Sequence, residues 1–334
     1  MNQALMQKTD APSIERITLS NNKNMKVVIA SYGARILSIQ YKNSEGTWLE
    51  TTLNYALDSD ILIDNCYMGA TCGRVSNRIS GAQYVHNGEF IKLDANEGEN
   101  TLHGGADGFS QCFWSVSPVV VKRENSQSVT LTYTSNDGDQ GFPGNLTANV
   151  TYTLTSDNHL LTEYKASCDK VSPINMCNHA YFTLGEPSIH DMELTVFANK
   201  YLPLDEKNIP TGEIFTANSD HSFMQAATLG KRIAFKDIDD CYVLVKNQTD
   251  NASQLACVLV SSRNKISLSI STDQIAMQVY TGNYLPIKYS AIALEAQGLV
   301  DAVNQAKFET DWVGPNQDYR KIVDYHFQSL PHKD

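Results

Sequence analysis

Alternation of apolar and polar side chains dominates this chain. From Leu146 to Leu154, the residues Leu146, Ala148, Val150, Tyr152 and Leu154 alternate with Thr147, Asn149, Thr151 and Thr153. A period of two predicts a strand with one buried face. Ser156-Asp157-Asn158 then supplies turn chemistry. Alternation resumes over residues 160–168, where Leu160, Tyr164 and Ala166 stand opposite Glu163 and Lys165. The two segments are expected to form an antiparallel hairpin. Val129, Leu131 and Tyr133 against Thr130 and Thr132 predict a strand just upstream. Ile266, Leu268 and Ile270 against Ser267 and Ser269 predict another, with residues 275–280 expected to return beside it. Helical periodicity is scarce, and short helical pieces are allowed around residues 225–229. Many strands divided by Gly, Asn, Asp and Pro turns predict an all-β fold, one large antiparallel β-sandwich. In such a fold the site belongs on a sheet face or in the loops at its rim.

Composition narrows the function. The chain has 334 residues, 42% of them hydrophobic, enough to bury a large core. Length alone permits two domains, but β-sandwiches also reach this size as one. No linker or low-complexity block divides the sequence, so a single domain over 1–334 is expected. The formal net charge of −11 and the absence of a basic block argue against a nucleic-acid partner and are compatible with a neutral substrate. Seven cysteines, an odd number without Cys-x-x-Cys spacing, argue against a disulfide framework or a zinc site and fit a reducing compartment. The first ten residues lack an apolar stretch long enough for a signal peptide, and no segment approaches a membrane span. A cytoplasmic protein with no membrane partner is expected.

Several polar residues break the strand logic. Asn77-Arg78 follows a glycine-rich approach, Gly69-Ala70-Thr71-Cys72-Gly73-Arg74. An arginine fork can grip hydroxyls, although on these residues alone a surface loop arginine explains Arg78 better. His103 precedes Gly104-Gly105, a tight turn that would hold the ring at a rim. A turn histidine bonded to backbone accounts for it equally well. His179 lies beside Asn178 in an apolar run, and alternation puts it on one face with Tyr181. Taken alone, a satisfied core histidine is the better reading. Glu295 ends the apolar run Ala291-Ile292-Ala293-Leu294. Burial would raise its pKa and suit it to general base work, against the plainer reading of a carboxylate paired to Arg or Lys. Gln278 should point away from Met277 and Val279, toward the face of Tyr280. Asp239-Asp240 offers two acids, of which one faces a site and the other solvent. Together these are the groups of a neutral polyol site. No acid pair in the context of glycoside cleavage, no Walker loop, no dinucleotide fingerprint and no zinc-protease motif is present.

In order along the chain, these segments resemble the aldose 1-epimerase family. The match runs through Ser31-Tyr32-Gly33-Ala34, Gly73-Arg74-Val75-Ser76-Asn77-Arg78-Ile79 and Glu97-Gly98-Glu99-Asn100-Thr101-Leu102-His103-Gly104-Gly105. It continues through Asp139-Gln140-Gly141-Phe142-Pro143-Gly144, Asn178-His179-Ala180-Tyr181-Phe182 and Tyr280-Thr281-Gly282-Asn283. It closes on Leu294-Glu295-Ala296-Gln297 and Asp301-Ala302-Val303-Asn304-Gln305. Each motif is weak alone; their shared order is specific. The resemblance implies a galactose mutarotase-like supersandwich with an open sugar cleft and anomer interconversion of free aldohexoses. It implies Glu295 as general base, His179 as general acid and His103 as a second catalytic histidine. Asn77, Arg78, Asp239 and Gln278 would bind hydroxyls, with Asp240 a competitor of Asp239. No metal, nicotinamide or nucleotide cofactor is implied, and a monomer or weak homodimer is expected. Ala180 and Ala296 stand where the family commonly has Thr, which would thin the support behind the site. The proline common after Asn304-Gln305 is missing. Two rival readings are a sugar-binding module on the same fold that has lost turnover and an epimerase of hexose phosphates. The second needs a cationic pocket, for which Arg74 and Arg78 are the candidates.

Overall fold

The computed structural model describes residues 13–121, 126–245 and 253–331. The strands that frame the site begin with β1 (Arg16–Ser20), β2 (Met25–Ala30), β3 (Arg35–Lys42), β4 (Gln127–Ser135), β5 (Leu146–Leu154) and β6 (His159–Cys168). They continue with β7 (Asp239–Val243), β8 (Gln254–Ser261), β9 (Ile266–Thr272), β10 (Ala276–Tyr280), β11 (Ile292–Gln297) and β12 (Tyr319–Ser329). One large antiparallel sheet runs β4-β5-β6-β12-β9-β8, with shorter strands at both edges. A second sheet orders Tyr181–Phe182, β11, β10 and β7, followed by two short strands. A third, at the N-terminal end, holds β1, β2 and β3. The expected all-β sandwich is therefore the observed architecture.

The alternation read in the sequence is the device that closes it. Leu146, Ala148, Val150, Tyr152 and Leu154 are all fully buried on one face of β5. The hairpin with β6 forms, pairing Val150 with Tyr164. Against this face pack Val27, Ile29 and Ile39 from the N-terminal sheet and Met277, Val279, Ile292 and Leu294 from the second sheet. All three sheets thus share one apolar core. Burial at about 25 cal/mol per Å² of apolar surface is what holds such layers together.

Two sequence expectations are corrected. Residues 275–280 do not return beside β9, because β8 and β12 already occupy both its edges. The chain crosses instead into the second sheet, where β10 pairs with β7 and β11. One short helix lies at Leu229–Ile233, just beyond the expected 225–229, with Ala227–Thr228 forming an edge strand, and a second, Asp58–Leu62, falls where no helix was expected.

Three central strands of the second sheet position the site. In β11 the side chains of Ile292, Leu294 and Ala296 enter the core, so Glu295 faces outward. Met277 and Val279 enter it from β10, turning Gln278 and Tyr280 to the same outer face. Register places Gln278 directly beside Glu295 and Asp239 beside Tyr280.

Candidate active site

The outer face of β7, β10 and β11 floors an open cleft of about 460 Å³. Its walls come from His179 and Tyr181, just after the short strand Cys177–Asn178, from Asn77 and Arg78 with Glu97, Leu102 and His103, from residues 65–67, and from Asn208, Tyr284 and Leu285. Each of the seven residues singled out in the sequence lines this cleft. The sequence separates Asn77 from Glu295 by most of the chain, and the sheet brings them together.

Glu295 is 2% exposed and sits at the floor. Its Oε1 lies 3.6 Å from His179 Nε2. Its Oε2 accepts a hydrogen bond from the Cys177 thiol at 3.3 Å. No Arg or Lys pairs with it among the described residues, so the plain reading of a salt-bridged carboxylate fails. Burial pushes its pKa well above the ordinary carboxylate range, and the neighbouring His179 acts in the opposite direction.

His179 is clamped through its backbone. Its N–H donates to the Ala70 carbonyl at 2.9 Å, and its own carbonyl accepts from Gly69 N–H at 2.9 Å. Asn178 Nδ2 donates to the Gly69 carbonyl at 2.7 Å. A Cβ on Gly69 would stand 2.0 Å from the Ile36 carbonyl, so only glycine permits this approach. His179 and Tyr181 share the cleft face, as alternation predicts, with ring centroids 4.8 Å apart.

His103 is buried rather than held at an exposed rim, at 5% exposure. Its Nδ1 accepts from the Asn77 backbone N–H at 3.3 Å. The other nitrogen, Nε2, then carries the proton of a neutral ring. Burial, with His179 and Arg78 adding to it, holds its pKa well below the ordinary histidine value. It is therefore a neutral hydrogen-bond donor. Tyr67, Asn77 and His103 all adopt left-handed backbone, with φ of 56°, 60° and 50°. Each such residue costs on the order of 1 kcal/mol, and all three line this cleft.

Arg78 projects from its short strand and is gripped by Glu97: Nε donates to Oε2 and Nη2 to Oε1, both at 2.7 Å. It is no loose surface arginine. Gln278 Nε2 donates to Asp239 Oδ1 at 2.6 Å, while Gln278 Oε1 is buried with no partner among the described residues. A buried acceptor without a donor is what a hydroxyl-bearing ligand satisfies. Burial raises the Asp239 pKa, against Arg78 and the Gln278 bond. Asp240 points through the sheet to the opposite side, where Lys236 Nζ reaches it at 3.1 Å. The choice between the two acids is settled in favour of Asp239 as the cleft residue.

Arg74 takes no part in the cleft. It is buried and donates to the carbonyls of Ser135, Asn136, Pro143 and Gly144 and to Ser135 Oγ. The Asp139–Gly144 motif is thus its cradle. The Asp301–Gln305 motif is also structural: Asp301 Oδ1 accepts from Ser80 N–H at 3.0 Å, anchoring the chain just after Arg78. Ala180 and Ala296 both lie in the apolar core, so the hydroxyls they lack would not have faced the cleft. Sequence reasoning missed Tyr67, Asn208 and Tyr284 as lining residues and Glu97 as the partner of Arg78. An arginine this enclosed needs a carboxylate, and Glu97 in the quoted motif was the available signal. Asn208 and Tyr284 carried none.

The model of the family described as Aldose 1-epimerase matches residues 15–326. The chain belongs to the aldose 1-epimerase family. It is 32% identical to the aldose 1-epimerase of Escherichia coli (strain K12) over 340 residues, covering 95% of this chain and 96% of that one. It is 36% identical to the aldose 1-epimerase of Haemophilus influenzae over 322 residues, 90% of this chain and 91% of the relative. Among solved structures, the galactose 1-epimerase from Lactobacillus acidophilus NCFM superposes with a TM-score of 0.84 at 26% identity, over 97% of both chains. A C. elegans aldose epimerase homologue, at 24% identity, shares the fold with a TM-score of 0.89 over 96% of this chain. This member of the aldose 1-epimerase family is therefore an isomerase with the mutarotase fold, and the cleft is the place to look for its chemistry.

Proposed function

We propose that this protein interconverts the α and β anomers of free aldohexoses such as galactose and glucose, with Glu295 as general base and His179 as general acid. One observation carries the reading: in a cleft built from hydroxyl-binding groups, a fully buried carboxylate faces a histidine nitrogen at 3.6 Å. A base and an acid are required at once, on the two oxygens attached to the anomeric carbon.

Glu295 Oε1 takes the proton of the anomeric hydroxyl while His179 protonates the ring oxygen. The electron pair of the O–H bond forms the carbonyl, and the C1–O5 bond breaks. The free aldehyde rotates about C1–C2, presenting its other face. Reclosure reverses both transfers, returning the proton to O1 through Glu295 and removing it from O5 through His179. The raised pKa of Glu295 serves this cycle, because a carboxylate of ordinary acidity is a poor base toward a hydroxyl. Each positioned proton transfer contributes typically ~10²–10⁴-fold. His103, neutral with its proton on Nε2, donates to a sugar oxygen. Arg78, Asn77, Asp239 and Gln278 hold the remaining hydroxyls, and the tyrosines offer faces to the apolar side of the ring.

A phosphorylated substrate fits poorly. Arg74 is committed elsewhere, and Arg78 is already bound by Glu97. The protein acts as one domain over 1–334, as a monomer or weak homodimer, in the cytoplasm and in the use of galactose. Seven free cysteines suit a reducing compartment, and no helix among the described residues is long and apolar enough to cross a membrane.

The test is polarimetry on freshly dissolved α-D-galactose. The wild-type protein should accelerate the decay of rotation, and Glu295→Ala should abolish that acceleration while melting cooperatively. Unchanged exchange in a folded Glu295→Ala variant overturns the base assignment. No acceleration by wild type on galactose, glucose, xylose or arabinose favours the binding module instead.

A further inference from the structure

Resting on the reading of Glu295 as base, we infer that Cys177 is a positioning residue: its thiol donates to Oε2 and so presents Oε1, the oxygen beside His179, to the sugar. The two carboxylate oxygens have different surroundings. Oε2 points inward to Cys177 Sγ at 3.3 Å, its only hydrogen bond among the described residues. Oε1 points to His179 Nε2. A carboxylate free to rotate would offer either oxygen in many orientations. Holding one of them fixes the other within reach of the anomeric hydroxyl.

Cys177 is built for this task by its strand. It is fully buried, and register sets it opposite Cys72 on the neighbouring strand. Burial raises the pKa of the Cys177 thiol, so it stays protonated and can donate. The Cys72 thiol, its pKa also raised by burial, lies beside Cys177 on the paired strand. Cys177 contacts no part of the cleft open to the sugar, so it acts only through Glu295.

A thiol is a weak donor. It orients the carboxylate while stabilising the anion less than a hydroxyl would, which preserves basicity at Oε1. Other groups facing Glu295 are His179 and Tyr181 on the same segment as Cys177, Cys72 opposite it, Asp239 and Cys241 on β7, and Tyr325 on β12. Burial keeps both cysteines and both tyrosines neutral. His179 and Asp239 remain in every Cys177 variant, so a difference between variants reports the thiol.

The experiment measures anomer exchange of galactose across pH for wild type, Cys177→Ala, Cys177→Ser and Glu295→Gln, with thermal melts of each. In Cys177→Ala, kcat should fall about tenfold near neutrality, with KM changed less than about twofold. The acid limb of its kcat/KM profile should move up by about one pH unit, because the neutral thiol that donates to Oε2 favours the carboxylate and is gone. Cys177→Ser restores a donor of similar size and should return the limb to the wild-type position or below. A limb unmoved in Cys177→Ala overturns the proposal, as does a Cys177→Ser limb displaced upward like that of Cys177→Ala. Should Cys177→Ala fail to fold, the position of the Cys177→Ser limb alone decides: at or below wild type supports, above it overturns. Glu295→Gln separates the two layers. Exchange retained in it removes the base assignment itself. Exchange lost in it, beside an unmoved limb in Cys177→Ala, removes only the role of Cys177.

Discussion

At Glu295 the fold holds a carboxyl group where water barely reaches it. Burial lifts its pKa well above the ordinary value of 4.5. A group whose folded pKa is raised contributes stability that is fully present below its unfolded pKa and lost as pH rises through its folded value. Ionised Glu295 therefore destabilises the native state at neutral and alkaline pH, and the same ionised form is the base of the proposed mechanism. His103 works with the opposite sign: its lowered pKa takes stability away as pH falls through about 6.5. That loss is common to wild type and to a Glu295 variant, so it cancels between them. Glu295→Gln should melt roughly 2–4 °C above wild type at about pH 8, with the gap closing toward about pH 4.5. It should have lost mutarotation. Thermal melts across this pH range check the prediction, and a gap that stays constant with pH would show that Glu295 is not ionised at such a cost.

At the scale of elements, the cleft depends on loops that are themselves tied to buried polar anchors. Arg74 fixes four carbonyls of the β4–β5 connection, with Ser135 Oγ bridging to Asp139 Oδ2 at 2.7 Å. Arg74→Met would leave those carbonyls buried without donors. It should cost about 3–5 kcal/mol, read as a fall in the urea midpoint at unchanged m. A loss below about 1 kcal/mol would show that the loop finds other donors. The same anchors explain what the sequence could and could not reveal. The hairpin of β5 and β6 was legible because its pattern has one period and one buried face. β11 was legible as apolar, yet it is buried on both faces, so alternation there could not say which way Glu295 points. The return of residues 275–280 was misplaced because strand patterns carry no information about which sheet edge is free. Arg74 and Arg78 look alike in sequence, each a lone arginine near glycine. One proves to be a structural anchor and the other a cleft residue, because their carbonyl and carboxylate partners lie up to 70 residues away.

At the scale of the whole molecule, charge is expected to select among sugars. The chain carries a formal net charge of −11. Its cleft lines Glu97, Asp239 and Glu295 against the single arginine Arg78, and Glu97 already occupies one edge of that guanidinium through Nε and Nη2. Pairing leaves Arg78 able to donate to a hydroxyl but with its charge largely answered. A neutral aldose loses nothing by this arrangement. A hexuronate brings a carboxylate into a field that is negative nearby and over the whole surface, and like-charge juxtaposition is a strong ground of rejection. Galacturonate should therefore be exchanged with a KM at least about tenfold above that for galactose. Glu97→Gln releases the guanidinium, so it should narrow that ratio, chiefly by lowering the galacturonate KM. Added salt should narrow it further only for the part of the field that solvent can screen, which excludes the buried Glu295. Polarimetry with both sugars on both proteins, at low and high ionic strength, measures the ratio directly. A ratio the same in wild type and Glu97→Gln would mean that rejection comes from shape alone, with Glu97 serving only to hold Arg78 in place.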